Sequence, residues 1–263
     1  MNIMGKVTAI VLAAGKGNRM HSEIPKQYLE VYNKPILYYA LHAFEQSQVD
    51  NIVLVTRQED IAYCKEQIID KYGIQKVTDI VQGGEERYWS VYNGLKTCRE
   101  TGYVLIHDSA RPCIGVERIN EMIVEVVRIG ACTFGVPVKD TIKVVNEDGY
   151  GIDTPPRRYL WQIQTPQAFI YKDLVRAYEK MREDCTTDIT DDTMIVERYL
   201  HQNTKVIQGD YSNIKVTTPD DLDAVLNFFK KNKKSSAFFH PFFLKICFSL
   251  RKQKRSIKLV ESL

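Results

Sequence analysis

Five short runs rich in β-branched and apolar residues punctuate the first half of this chain: Val7–Ala13, Asn51–Thr56, Val77–Val81, Tyr103–His107 and Cys132–Val138. Such runs are shorter than ordinary helices and too uniformly apolar for strands with one face in water. They predict parallel strands buried on both faces. Between them lie stretches of helical periodicity. Pro35–Gln46 sets a proline in its first turn and Ile36, Tyr39, Ala40 and Ala43 along one face. Ile61–Tyr72, Ser90–Cys98 and Glu117–Arg128 read the same way. This alternation predicts an α/β fold, a doubly wound sheet with helices on both faces.

The rhythm breaks after Val138. Lys139–Thr165 contains short alternating runs with Gly149, Gly151, Pro155 and Pro156, which predicts an extended excursion from the sheet, about residues 139–165. A helix over Asp173–Arg182, a strand pair at Thr204–Gln208 and Asn213–Thr217, and a last helix follow. Thr218 is placed to cap that helix, with Asp220 and Asp221 in its first turn. The regular pattern stops beyond Asn232, so the expected organisation is a domain at 1–229 and an extension at 230–263.

Charge separates these two parts. The chain carries +3, but residues 230–263 hold ten of the 36 basic residues and one of the 33 acidic ones, which gives them +9 and leaves −6 on residues 1–229. An acidic body lacks the clustered cations of a general nucleic-acid binder. The six cysteines (64, 98, 113, 132, 185 and 247) form no CxxC pair and have no histidine at zinc-ligand spacing. They predict free thiols in a reducing compartment, the cytoplasm. The apolar run around Phe238–Leu250 is interrupted by His240, Pro241 and Lys245 and is short of the roughly 20 residues a membrane span needs.

Three loops carry candidate chemistry. The first strand runs into Ala13-Ala14-Gly15-Lys16-Gly17-Asn18-Arg19-Met20, followed by Ile24-Pro25-Lys26. Small residues at the end of a first parallel strand let backbone amides approach a nucleotide. The Walker A pattern fails here for want of GK followed by Ser or Thr, and the dinucleotide fingerprint fails at Met20. What remains is a small-residue turn with two cations, Arg19 and Lys26, suited to a polyphosphate; a glycine turn with solvated lysines is the plainer alternative. Gly83-Gly84-Glu85-Glu86-Arg87 follows the third strand, and Ser90 opens the next helix; paired glycines there allow main chain to pack on a flat base, or simply make a turn. His107-Asp108-Ser109-Ala110-Arg111 follows the fourth strand, where Asp108 can hold a metal or a hydroxyl, or pair with Arg111. Lys215, within the predicted strand Asn213–Thr217, is costly to bury unless it meets an anion.

Taken in order, LAAGKGNRM, PKQY, GGEER–SV–NGL, HDSARP, PVKDTIK, LWQIQTPQ, TDD and NIKVTTPDDL resemble the 2-C-methyl-D-erythritol 4-phosphate cytidylyltransferase family over about residues 6–229. The resemblance implies a Rossmann-like (GT-A-like) nucleotidyltransferase fold, a mostly parallel sheet with an extended β-arm for dimerisation. It implies a reaction of CTP with methylerythritol phosphate that releases pyrophosphate in non-mevalonate isoprenoid synthesis. It also implies Mg²⁺ held mainly by CTP phosphates, with Asp108 a candidate ligand. Matched position by position, Ala13, Ala14, Gly15, Gly83, Gly84, Glu85 and Ser90 would meet the nucleotide. Arg19, Lys26 and Lys215 would be the catalytic cations, and Asp108, Arg111 and Thr190 would lie beside the second substrate. Thr141 and Arg157, on the arm, would reach the partner subunit's site in a homodimer.

A sister family, the ribitol-5-phosphate cytidylyltransferases, shares LAxG, PKQ, HDxxRP and QTPQ. Ser109 and Gly209-Asp210-Tyr211-Ser212-Asn213 suit it also, whereas Ala14 and the Pro137–Lys143 run look more like the isoprenoid enzyme. An inactive nucleotide-binding scaffold is a third reading, opposed by the presence of every matching cation. The extension 230–263 lies outside the resemblance. It reads as a flexible basic tail, or as a segment whose phenylalanines and cations make weak contact with an anionic membrane surface.

Overall fold

The computed structural model describes residues 5–15, 24–184 and 188–233. Two compact units divide the chain, residues 1–226 and 227–263. The strands are β1 (Lys6–Leu12), β2 (Glu30–Val31), β3 (Lys34–Pro35), β4 (Asn51–Thr56), β5 (Val77–Gln82), β6 (Thr101–Asp108), β7 (Ala131–Pro137), β8 (Val144–Val145), β9 (Gly151–Asp153), β10 (Trp161–Ile170) and β11 (Lys205–Gln208). The helices are α1 (Ile36–Glu45), α2 (Ile61–Tyr63, continued by a π-helical stretch Cys64–Asp70), α3 (Arg87–Thr97), α4 (Val116–Ile129), α5 (Tyr171–Asp184), α6 (Asp192–Leu200) and α7 (Pro219–Lys233).

One seven-stranded sheet, ordered β11-β7-β10-β6-β1-β4-β5, forms the centre of the first unit. All its pairings are parallel except those of β10, which runs antiparallel to both β6 and β7. The alternation of side chains along β1 explains the layers. Val7, Ala9 and Val11 pack with Leu37, Leu41 and Phe44 of α1 and Ile119, Met122 and Ile123 of α4. Ile10 and Leu12 face the other way, toward Val91 and Leu95 of α3 and Leu174 and Tyr178 of α5. Strands β1 and β4, inside the sheet, are mostly apolar because neither of their faces meets water. At Gly94 an added Cβ would lie 2.8 Å from Ile10 Cγ2, so glycine lets α3 settle directly on β1.

The predicted doubly wound layers are present, with three corrections. The excursion ends earlier than Thr165, because Trp161–Ile170 is a ten-residue strand in the middle of the sheet. Its proline and three buried polar residues disguise it. Pro166 is tolerated because the register shifts between Ile163 and Gln167, a bulge where no ladder donor is required. Gln164 and Gln167 reach out to hold loops, donating to the carbonyl of Asp210 at 2.8 Å and to Asp191 Oδ2 at 2.9 Å. Second, Asn213–Thr217 is a loop and not a strand; it is tied down singly, by Val216 N–H to the Ala110 carbonyl (2.8 Å) and by Asn213 Nδ2 to the Thr165 carbonyl (2.9 Å). Third, α6 has no counterpart among the predicted helices, and α3 opens at Arg87, three residues before Ser90.

Within the excursion, β8 and β9 form a separate antiparallel hairpin. Val145, Tyr150 and Ile152 on it are 54%, 72% and 66% exposed, an apolar surface with no cover in the single chain. Thr218 stands just before α7, but its hydroxyl does not cap the helix. It donates to Asp221 Oδ2 (3.0 Å), which also accepts the N–H groups of Thr217 and Thr218. In the second unit the described residues are the end of α7, where the Phe228 and Phe229 rings meet edge to face. Among the described residues no helix is long and apolar enough to cross a membrane.

Candidate active site

The carboxyl ends of β1, β4, β5 and β6 open onto a cavity of about 960 Å³. Successive strands leave β1 in opposite directions, toward β4 on one side and β6 on the other. Open α/β sheets bind ligands at such a reversal, where the loops part. Three connections build the walls. After β1, Ala13-Ala14-Gly15 is pinned by Ala13 N–H to the Val55 carbonyl (2.7 Å) and by Gln27 Nε2 to the Ala13 carbonyl (2.7 Å). After β5, Gly83 N–H donates to the Thr56 carbonyl (2.8 Å) and Gly84 N–H to Ser90 Oγ (3.0 Å). Glycine at 83 is a steric requirement, since a Cβ there would lie 2.5 Å from Ala14 Cβ and 2.8 Å from Ser90 Oγ. β6 ends on Asp108, and the loop 213–217 brings Lys215 to it.

Asp108 is the electrostatic centre. Its Oδ2 lies 2.7 Å from Lys215 Nζ and its Oδ1 accepts from Arg87 Nε at 3.1 Å. Burial works to raise its pKa, but Arg87 and Lys215 outweigh burial and hold the carboxyl well below the usual carboxylate range. Next to it, His107 is fully buried and burial pushes it down to about 4, so it is neutral. A consistent chain follows: Asp108 N–H donates to Thr165 Oγ1 (3.1 Å), Thr165 Oγ1 lies 3.0 Å from His107 Nδ1, and His107 Nε2 lies 3.2 Å from the Arg111 carbonyl. With the ring proton on Nε2, every member of the chain has a partner. Lys26 Nζ donates to the Val216 carbonyl of the same loop at 3.1 Å.

The family model for 2-C-methyl-D-erythritol 4-phosphate cytidylyltransferase (IspD) matches residues 7–230. This chain belongs to that family. The protein of that name from Lachnospira eligens is 50% identical over 225 residues, 85% of this chain and 99% of that protein. The one from Lachnoclostridium phytofermentans is 50% identical over 219 residues, 83% of this chain and 94% of that protein. Among solved structures, the 4-diphosphocytidyl-2C-methyl-D-erythritol synthase of Anaerococcus prevotii superposes with a TM-score of 0.75 at 32% identity, covering 86% of this chain and 96% of that one. The Francisella tularensis IspD does so with a TM-score of 0.71 at 27% identity, covering 85% and 99%. IspD proteins are CTP-dependent nucleotidyltransferases of isoprenoid biosynthesis; the ribitol phosphate alternative is not favoured.

Of the residues singled out by sequence, Ala13, Ala14, Gly15, Lys26, Gly83, Gly84, Glu85, Ser90, Asp108 and Lys215 line this one cavity of the IspD fold. Arg111, Thr141, Arg157 and Thr190 do not line it. The alternative in which Arg111 pairs with Asp108 is not what the structure has; the Arg111 guanidinium donates to the carbonyls of Asn213 (2.8 Å) and Ile163 (3.4 Å). Thr141 and Arg157 are exposed on the arm, where Arg157 Nη1 bonds the Lys139 carbonyl at 2.8 Å. Thr190 is exposed, immediately before the Asp191 that caps α6. Arg19, Cys185, Cys247 and the tail beyond Lys233 lie outside the described residues. Sequence reading gave no role to Arg87, Gln27 or Arg57, all of which line the cavity. The signal for Arg87 was present: it ends GGEER at the first position of a helix, and the motif TDD supplies its buried partner, Asp192.

Proposed function

We propose that this chain joins CTP to 2-C-methyl-D-erythritol 4-phosphate, releasing pyrophosphate and 4-diphosphocytidyl-2-C-methyl-D-erythritol. The observation that carries the reading is the convergence of the Ala13–Gly15 turn, the Gly83-Gly84 segment with Ser90, and the cations Lys26 and Lys215 on one cavity. The backbone of the two small-residue loops would hold the nucleotide, with Gly83, Gly84, Glu85 and Ser90 along the base. Asp108, Arg111 and Thr190 would lie beside the second substrate.

The chemistry follows from charge. The acceptor phosphate is already an anion, so no general base is required. One of its oxygens bonds to the α-phosphorus, the bond to the bridging oxygen breaks, and pyrophosphate leaves with the electron pair. The obstacle is repulsion between anions, and Lys26, Lys215 and Arg19 (which lies outside the described residues) would offset it. The residues present fit a divalent cation, Mg²⁺, carried by the triphosphate oxygens with Asp108 as its protein carboxylate, because Mg²⁺ is ordinarily held by one or two carboxylates plus substrate phosphates. Asp108, buried at the end of β6, would be that carboxylate. When bound, such an ion neutralises phosphate charge.

The exposed apolar hairpin supports a homodimer through the arm, in which Thr141 and Arg157 serve the partner's site. Four buried free cysteines, 64, 98, 113 and 132, support a cytoplasmic setting. Residues 1–229 would be the cytidylyltransferase domain and 230–263 an appendage, which liposome co-sedimentation of full-length and tail-deleted protein tests for membrane contact.

The deciding experiment is pyrophosphate release with CTP and Mg²⁺, comparing methylerythritol phosphate with ribitol 5-phosphate. Turnover on the first is expected; turnover on the second alone would overturn the reading.

A further inference from the structure

Arg87 stands at the first position of α3 and forks between two carboxylates from distant parts of the chain. Its Nε donates to Asp108 Oδ1 at 3.1 Å and its Nη2 to Asp192 Oδ2 at 2.8 Å. Asp192 is fully buried, with no exposed side-chain surface. Its Oδ1 accepts from the Tyr178 hydroxyl at 2.6 Å, and its N–H donates to Gln167 Oε1 at 3.0 Å. Gln167 Nε2 in turn bonds Asp191 Oδ2, and Asp191 Oδ1 caps α6 through Met194 N–H. Arg87 is therefore anchored at one end in the packed interior between α5, α6 and β10. Its other end holds the carboxylate that holds Lys215.

We propose that Arg87 is a positioning residue for the transfer reaction, fixing Asp108 so that Asp108 aims the Lys215 ammonium into the cavity. The proposal rests on the reading of Lys215 as a cation of the reaction. A lysine is a point charge on a flexible four-carbon stem, so its place is set by what it bonds. Asp108 can set that place only if it does not itself turn, and Arg87 holds Oδ1 while Lys215 takes Oδ2. The fork has a second consequence. The cluster of Arg87, Lys215, Asp108 and Asp192 is balanced, two cations against two anions. When Lys215 turns toward a phosphate, Asp108 still faces Arg87 and is not left as an unpaired buried charge, which would be strongly unfavourable. Lysine at 87 would keep the charge but could not span both carboxylates with the rigid geometry of a guanidinium.

The test is a double-mutant cycle of R87K and K215M. The number of sites in each protein is counted by calorimetric titration with CTP, so that misfolded protein does not count as slow enzyme. R87K should lower kcat per site by about tenfold or more, with KM for CTP changed by less than about threefold. In the K215M background, R87K should change kcat by less than about twofold, because the residue it acts through is gone. A residue of merely structural importance, or one touching the substrate directly, would give multiplying losses, and that result overturns the proposal. So does R87K with normal kcat. Should R87K not fold, R87Q/D192N removes both charges of the buried pair together and keeps hydrogen-bonding amides. Normal kcat in that protein overturns the proposal, and loss that vanishes in the K215M background supports it. The outcomes separate the two readings: K215M at the wild-type rate removes the role of Lys215, whereas an impaired K215M beside a normal R87K removes only the role of Arg87.

Discussion

The Lys26 ammonium donates to the carbonyl of Val216 at 3.1 Å, across 190 residues of sequence, and Val216 directly follows Lys215. One short loop therefore receives one cation at Val216 and presents a second at Lys215. Both line the same cavity. A polyphosphate entering between the strand ends would meet two positive charges, one held by the Val216 carbonyl and the other by the Asp108 carboxylate.

Lys26→Ala and Lys215→Ala should each lower kcat by about a hundredfold or more, since preorganised charge acts most strongly on the transition state. KM for CTP should move by no more than about threefold. Steady-state kinetics with varied CTP distinguishes the alternatives. A variant with near-normal kcat and only a raised KM would show that the lysine binds ground state and transition state alike.

Gly83→Ala should weaken CTP binding by at least about tenfold. The new methyl would lie 2.5 Å from Ala14 Cβ, so it drives the Gly83-Gly84 segment away from the Ala13–Gly15 turn. Calorimetric titration with CTP is the measurement. Unchanged affinity would remove the Gly83-Gly84 segment from the nucleotide site.

Acid should destabilise the fold in two stages. His107 is held down to about 4 by burial, whereas in the unfolded chain it titrates near 6.5. Between those values the unfolded chain binds more protons, so stability falls as pH falls, by roughly 3 kcal/mol in all. The carboxyl of Asp108 is depressed, so its contribution is complete above about pH 4 and is lost only as pH drops further. Urea midpoints from about pH 7 to about pH 4 should show the first slope in the native sequence and a shallower one in H107Q. Equal slopes in the two proteins would mean that His107 is not the titrating group.

Val145→Asp with Ile152→Asp should convert a dimer to a monomer in sedimentation velocity, because it places two charges on the exposed apolar hairpin. Mixed dimers of R157A and K26A should regain activity that neither homodimer has, since one of the two sites would be intact. A wild-type monomer would remove the arm's proposed role; mixed dimers without recovery would remove the shared site alone.

How much of this was legible beforehand varied by element. Asn51–Thr56 is a strand over the residues expected, and β1, β5, β6 and β7 differ only at their ends; β1, β4 and β7 are buried and write near-continuous apolar runs, whereas β5 lies at the sheet edge and is only partly buried, not covered on both faces as expected. β10 was not legible. It lies inside the sheet yet carries Pro166 and the polar Gln164, Thr165 and Gln167, whose partners are Asp210 on a loop, Asp191 and Asp192 at the start of α6, and Asp108. Nothing local marks such residues as buried. Lys215 does meet an anion, Asp108, but not for the reason expected: it sits on a loop with its side chain 38% exposed, and is not a lysine buried in a strand.

The sequence by itself determined the layered α/β plan and the small-residue turns at Ala13–Gly15 and Gly83–Gly84. Both are local in origin: periodicity follows from burial of each element, and the turns from the need for backbone without bulk. Only the tertiary structure decided that Arg87 and not Arg111 pairs with Asp108, and that Lys26 and Lys215 share a loop. Those pairings depend on which strand ends stand side by side in the sheet. Sheet order, with β10 inserted between β6 and β7, arises from packing between strands far apart in sequence, as where Gln167 lies opposite Ile106 and Thr133, and leaves no periodic trace along the chain.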